Sequence, residues 1–238
     1  MVRKVAVSSF LGNFIEWFDY ASYSYFATTI ALVFFPTDNH TVAMLQTFGV
    51  FALSFILRPI GALFWGSYGD KKGRKAALAH SIMFMSGASF LIGCLPSYSV
   101  IGVGAPILLL LLRMVQGFSA SGEYAGAATF LGEYAPTSKR GIYCSLIPAS
   151  TAIGLLAGST LATLMTANMN SSAMVGWGWR VPFLLAGPLG LIVLYIRAKL
   201  ADSPVYQSMN DALESKGAAS ADGQIAAKSG MFAPVSYT

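Results

Sequence analysis

The chain has 238 residues, of which 55% are hydrophobic and only 11% are charged, with a mean hydropathy of +0.61. Soluble domains carry about 25% charged residues, so this composition excludes an ordinary soluble globular protein. The formal charge of +5 is spread over short segments between apolar runs, so we expect a lipid bilayer rather than a nucleic acid as the partner.

Six apolar runs follow one another along the chain, and each is long enough to cross a bilayer as a helix, which takes roughly 20 residues. We predict six transmembrane spans, numbered in chain order, near residues 9–34, 42–66, 76–95, 104–132, 142–167 and 181–200. The predicted fold class is all-α, a polytopic membrane protein with a helical bundle over residues 1–202. Residues 203–238 are rich in Ala, Ser, Gly and Lys, and we expect them to form a loose cytoplasmic tail.

The segment 66–75, between spans two and three, consists mostly of glycine and charged residues, which are unfavourable in hydrocarbon. It therefore predicts a tight hairpin in water. Basic residues recur on this side of the predicted bundle: Arg3, Lys4, Lys71, Lys72, Arg74, Lys75, Lys139, Arg140, Arg197 and Lys199. By the positive-inside rule, both termini are then cytoplasmic.

Five ionisable side chains lie within the predicted spans: Glu16, Asp19, Arg58, Arg113 and Glu123. A charge at the centre of a transmembrane helix costs about 2.5–3.5 kcal/mol, so these groups should face one another or a watery cavity. Because there are two arginines for three carboxylates, one acid is left over, and we interpret it as a candidate proton carrier.

Span four places three of its polar side chains near one another. Gln116 and Glu123 are seven residues apart and share a helical face, and Arg113 lies within a turn of Gln116. A carboxylate that alternates between a protonated form and an ion pair suits a proton-coupled transporter. The alternative is a static buried ion pair that holds helices together.

Span one carries a second polar group on one face, because Glu16 and Asp19 are three residues apart. These acids contact a substrate or proton, or they pair structurally with Arg58. Tyr20 and Tyr23 line a cavity, or they pack between helices.

Pairs of small residues predict close helix packing in two spans. They are Gly122 and Gly126 in span four, and Gly154 and Gly158 in span five. Packing within one bundle is one interpretation, and a subunit interface is the alternative for span five.

Other chemistries find no support in the sequence. It has no metal-ligand cluster, no nucleophile–base pair and no phosphate-binding glycine loop, so we expect neither an enzyme nor a metal or cofactor site. Cys94 and Cys144 fall inside spans, and we predict that they are buried, inert thiols.

Five segments in this order resemble the metabolite:proton symporter family of the major facilitator superfamily. They are residues 12–19, 58–61, 66–75, 113–124 and 177–183. The resemblance implies one half of a major facilitator fold, because the family has twelve spans in two parallel halves and this chain corresponds to the N-terminal half. Span five lacks the antiporter glycine-proline motif, which favours symport. It also lacks an aspartate frequent in osmolyte transporters, which disfavours betaine.

The resemblance also implies roles for particular residues. A cytoplasmic gate would comprise Asp70, Arg74, Glu133 and Arg140. It implies proton coupling by Glu123 and Arg113, to which we add Asp19. It implies that Glu16, Asp19 and Arg58 line the substrate cavity, and we add Tyr20, Tyr23, Gln116 and Tyr124 as further substrate-binding candidates.

The resulting hypothesis is a half-size, proton-coupled symporter in the cell inner membrane, working by alternating access. Two copies would replace the two halves, which predicts an isologous homodimer. The proton gradient would supply the energy, and the substrate would be a small amino acid or related zwitterion. The alternatives are an organic-acid symporter of the same design and a non-transporting truncated half that associates with a full-length transporter.

Overall fold

The structure is a computed structural model that describes residues 2–200 and Ser208. Within those residues all regular structure is helical, which confirms the all-α class. The helices are α1 Val2–Tyr25, α2 Ala27–Phe34, α3 His40–Ile56, α4 Arg58–Lys72, α5 Arg74–Cys94, α6 Tyr98–Ile101, α7 Gly104–Ala120, α8 Glu123–Tyr134, α9 Arg140–Cys144, α10 Leu146–Asn168, α11 Ser171–Gly176 and α12 Val181–Ala198. Short 3-10 turns cover Thr137–Lys139 and Gly178–Arg180.

Each predicted span coincides with one helix or with two helices joined by a short break. Span one comprises α1 and α2, span two α3 and α4, span four α7 and α8, and span five α9 and α10. Spans three and six are the single helices α5 and α12. The tail predicted over 203–238 lies outside the described residues, apart from Ser208.

Five helical segments of the described part are long and apolar enough to cross a membrane: His40–Lys72, Arg74–Cys94, Gly104–Tyr134, Thr137–Asn168 and Gly178–Ala198. Span one is not among them, although α1 has 24 residues. The reason lies in its polar side chains, since α1 carries Asn13, Glu16 and Asp19. All three are buried, so they face protein rather than lipid.

Helix α1 lies in the middle of the bundle. It packs against α10, α12 and α8, while α5 packs against α12, α7 and α4, and α3 and α4 pack on α7. Spans two and five are the least enclosed, with 22% of each apolar window buried, against 50% for span three. The thiols predicted to be buried are not enclosed either, since Cys94 is exposed and Cys144 is half-buried.

The hairpin at 66–75 is tighter than the sequence indicates, because α4 continues to Lys72 and α5 starts at Arg74. Gly73 alone makes the turn, with φ of +96°, a conformation that disfavours any side chain. The ammonium of Lys75 donates to the carbonyl of Ala198 at 3.0 Å. This contact brings the hairpin to the end of span six.

The glycines of span five pack against α1 within the bundle. A Cβ atom on Gly154 would lie 2.7 Å from the carbonyl oxygen of Phe14, and one on Gly158 would lie 2.7 Å from the Cβ of Ala21. Both glycines are buried in the single chain. The interpretation of this pair as a subunit interface is therefore wrong, and packing within one bundle is correct.

We expect Gly158→Ala to lower the thermal stability of the purified protein in detergent, because the added methyl group overpacks the contact between α10 and α1. The expected cost is about 1–3 kcal/mol. Gly87→Ala is the matched control, since the space beside Gly87 in α5 is open. A melting temperature that falls equally for both variants would contradict this packing.

Candidate functional site

Each of the three acids buried in the spans pairs with its own arginine. Glu16, Asp19 and Glu123 are at most 3% exposed. The pairs are Glu16 with Arg58, Asp19 with Arg113, and Glu123 with Arg197. The ionisable groups therefore face one another, as the energetics of charges in hydrocarbon require.

The structure corrects the prediction that Arg197 is one of the basic residues on the cytoplasmic side of the bundle. Its side chain turns inward and is only 2% exposed. Three arginines thus match three buried acids, so the predicted surplus acid does not exist. Glu123 and Arg113, expected to act together, each have a different partner.

Asp19 is the centre of a network that joins α1, α5 and α7. Nη1 of Arg113 donates to one carboxylate oxygen at 2.6 Å. Ser89 Oγ and Gln116 Nε2 donate to the other oxygen at 2.9 and 3.2 Å. The guanidinium also lies 3.9 Å from the ring centroid of Tyr23. Both oxygens of Asp19 are therefore satisfied.

Both carboxylate oxygens of Glu123 also accept hydrogen bonds, as those of Asp19 do. Arg197 donates to both of its oxygens, and Ser81 Oγ adds a bond of 3.2 Å. Arg197 also donates to Ser8 Oγ at 3.2 Å. A side chain at Gly12 would overlap the Glu123 carboxylate, so this glycine is needed for the approach. The pair connects spans one, three, four and six.

The carboxylate of Glu16 accepts fewer hydrogen bonds than those of Asp19 and Glu123. Nη2 of Arg58 donates to one oxygen at 2.7 Å and also donates to the hydroxyl of Tyr20. The other oxygen, Oε2, is buried without a hydrogen-bond partner. The guanidinium lies 4.6 Å from the ring centroid of Phe55, and the Arg58 side chain is 28% exposed. This pair is the most open of the three.

Other predicted site residues lie apart from these networks. Tyr124 is 43% exposed, although it follows Glu123 directly. Asp70 and Arg74 form an ion pair of 3.0 Å across the hairpin turn. No salt bridge between described residues joins Glu133 or Arg140 to that pair, and Glu133 Oε2 has no partner. The predicted gate is not assembled within one chain.

The serines that complete the networks were missed. Ser81 and Ser89 are both buried on α5, and each donates to a carboxylate of another helix. They are eight residues apart, which places them on one i, i+4 row of the helix. This spacing was the available signal, but serine is common in transmembrane helices and also bonds to its own backbone.

We expect Glu123→Gln to destabilise the protein strongly, because it leaves the buried charge of Arg197 without a counter-ion. The expected cost is about 3–5 kcal/mol, measured by thermal unfolding in detergent. The double variant Glu123→Gln, Arg197→Met should recover part of it, since no charge remains. A double variant less stable than the single one would contradict this pairing.

Known proteins that are similar in sequence to this chain are transporters about twice its length. The chain is 43% identical over 213 residues to the proline/betaine transporter of Salmonella typhimurium, covering 90% of this chain and 43% of that protein. It is also 43% identical to the glycine betaine/proline/ectoine/pipecolic acid transporter OusA of Dickeya dadantii, covering 90% and 42%. The chain thus spans less than half the length of these relatives.

Solved structures agree on the fold. The xylose transporter XylE from E. coli, in a partially occluded inward-open conformation, superposes with a TM-score of 0.79 at 17% identity. That match covers 88% of this chain and 50% of XylE. The inward-open conformation of XylE gives 0.76, covering 89% and 51%. The expected half of a major facilitator fold is confirmed.

The family assignment follows from the sequence itself. The model described as sugar (and other) transporter matches residues 4–229. Its members are transporters and not enzymes, and the helical segments make this chain a multi-pass membrane protein. The chain belongs to the sugar (and other) transporter family of the major facilitator superfamily.

Proposed function

We propose that this chain is a proton-coupled symporter of a small zwitterion, an amino acid or an N-alkylated relative. The observation that carries the proposal is the pair of Glu16 and Arg58, where a partly exposed guanidinium lies among aromatic rings. A guanidinium binds a carboxylate through two parallel hydrogen bonds, so Arg58 suits the anionic end of such a substrate.

The aromatic side chains beside Arg58 suit the cationic end. Trp17, Tyr20, Phe51 and Phe55 form a cluster with ring centroids 5.1–5.8 Å apart. Ring faces attract ammonium groups, including alkylated ones that cannot donate hydrogen bonds. The relatives' names, which include proline, betaine, ectoine and pipecolic acid, support a substrate of this class.

The buried acids also support a substrate with a positive charge over an organic acid. Glu16 and Asp19 lie one turn apart on α1 and each is balanced by one arginine, so a bound dianion would add uncompensated negative charge there, whereas a zwitterion adds none. The predicted proton-coupling residues Glu123, Arg113 and Asp19 remain a prediction. The location in the cell inner membrane with both termini in the cytoplasm also remains a prediction.

We further propose that the working unit is a homodimer that alternates access by rocking one protomer against the other. One feature supports it: of the five spans compared, spans two and five are the least enclosed, so their outer faces are open to another protein surface. The two halves of such transporters are parallel repeats, so a second copy can take the place of the other half. Asp70, Arg74, Glu133 and Arg140 would then gate across the interface.

Transport is tested in proteoliposomes that contain only this protein. We expect uptake of radiolabelled proline or glycine betaine above equilibrium when the outside is made acidic, and loss of this accumulation with a protonophore. Empty liposomes are the control. Absence of gradient-driven uptake across a panel of amino acids, betaines and organic acids would overturn the proposal, and uptake of organic acids alone would favour the alternative substrate class.

The dimer is tested by crosslinking in native membranes, in a background without Cys94 and Cys144. We expect disulfide-linked dimers from single cysteines at Leu156 of span five or Ile56 of span two, both 65% exposed. A cysteine at Leu191 of span six, 67% exposed, is the matched control and should remain monomeric. A product of higher mass than two copies would indicate a different partner, and monomers at every position would exclude the dimer.

A further inference from the structure

We propose that Glu16 carries the coupled proton and that its protonation frees Arg58 for the carboxylate of the substrate. This inference rests on the proposed symport and assigns its coupling to a pair outside the predicted proton-coupling set. It follows from a comparison of the three buried ion pairs. They differ in how many hydrogen bonds the carboxylate would lose when it is protonated, and in how deeply the remaining arginine is buried.

The first difference concerns the carboxylate oxygens. Both oxygens of Asp19 accept hydrogen bonds, and so do both oxygens of Glu123. Oε2 of Glu16 has no partner although it is buried. A buried acceptor without a donor is costly, and a proton on Glu16 removes the charge that makes it so. The nitrogens of Arg113 that also lack partners are donors and cannot take up a proton.

The second difference concerns the arginines left behind. The side chains of Arg113 and Arg197 are 1% and 2% exposed, so neutralising their acids would strand a charge in the interior. The Arg58 side chain is 28% exposed and is also held by the ring faces of Tyr20 and Phe55. Of the three guanidiniums, Arg58 can best lose its acid and receive another anion.

The third observation is the backbone at Arg58. Span two is broken at Leu57, since α3 ends at Ile56 and α4 begins at Arg58. Pro59 follows, and a proline has no amide hydrogen to continue the helical bonding through the break. Arg58 therefore lies at the break between α3 and α4. A change of its ion-pair partner at this position can change the angle between the two helices of span two.

The charges around Glu16 are otherwise balanced. Arg58 donates to it and to the hydroxyl of Tyr20, and Glu123 is the other acid whose charge acts on it. Glu123 is neutralised by Arg197, and Asp19 on the same helix is neutralised by Arg113. A proton on Glu16 thus leaves one unmatched positive charge, on Arg58, and the substrate carboxylate restores the balance.

The cycle conserves atoms and charge. A proton from outside binds Glu16, the bond between Glu16 and Arg58 breaks, and the zwitterion's carboxylate pairs with Arg58. After reorientation the zwitterion leaves, Glu16 releases the proton inside, and the original pair forms again. One proton enters with each neutral zwitterion, so transport moves one positive charge inward.

The test is Glu16→Gln in proteoliposomes, with two assays. We expect loss of concentrative uptake and of substrate-dependent proton entry, reported by a pH dye in the lumen. Exchange of labelled for unlabelled substrate at equal pH should persist, because glutamine still leaves Arg58 available. Asp38→Asn, which removes an exposed carboxylate from the loop after α2, is the control and should behave as the wild type.

The outcomes separate the two proposals. A wild-type protein without gradient-driven uptake overturns the proposed function and this inference with it. A wild-type protein that accumulates substrate, with a Glu16→Gln variant that still accumulates it and moves protons, overturns the inference alone. A folded Glu16→Gln variant that has lost exchange also overturns it, because Glu16 would then serve substrate binding.

A second variant covers the case in which Glu16→Gln does not fold. Glu16→Asp keeps a titratable carboxylate but shortens its reach to Arg58 by one methylene. We expect it to retain concentrative uptake with a displaced pH profile. An unchanged pH profile would overturn the assignment of the proton to this residue.

Discussion

The cost of a charge in hydrocarbon determines the interior of this protein. In the described part of the chain, three acids are buried within the spans, and each forms an ion pair with one arginine. Two of the acids stand on α1, and Glu123 reaches it where Gly12 leaves room. Since these groups must be kept from lipid, α1 is enclosed by other helices, which leaves spans two and five on the outside.

The enclosure of α1 depends on close approach. Gly154 and Gly158 bring α10 against it, and Asn13 donates to Ser150 and Thr151 at 2.8 and 2.9 Å across the same contact. Ser81 and Ser89 approach from α5. These small and polar residues allow the helices around α1 to approach closely, and they donate hydrogen bonds to the buried carboxylates of Asp19 and Glu123.

Each of the three ion pairs consists of one acid and one arginine, but the pairs differ in the exposure and the neighbours of the arginine. The pair of Glu123 and Arg197 fastens four spans near the hairpin, and a network of serine and glutamine encloses that of Asp19 and Arg113. Only Arg58 combines partial exposure, aromatic neighbours and a break in its helix. The exchange of partners that we propose for Arg58 rests on this difference in setting.

The sequence by itself determined the membrane class, the helical runs, the hairpin and the ionisable residues that must pair, because hydropathy and the cost of buried charge are local properties. The partners were decided by the tertiary structure. Arg197 reads as an ordinary basic residue at a span end, and only helix packing turns it inward to Glu123. The predicted gate residues show the same limit, because the structure pairs Asp70 with Arg74 and leaves Glu133 Oε2 without a partner among the described residues, which the sequence does not indicate.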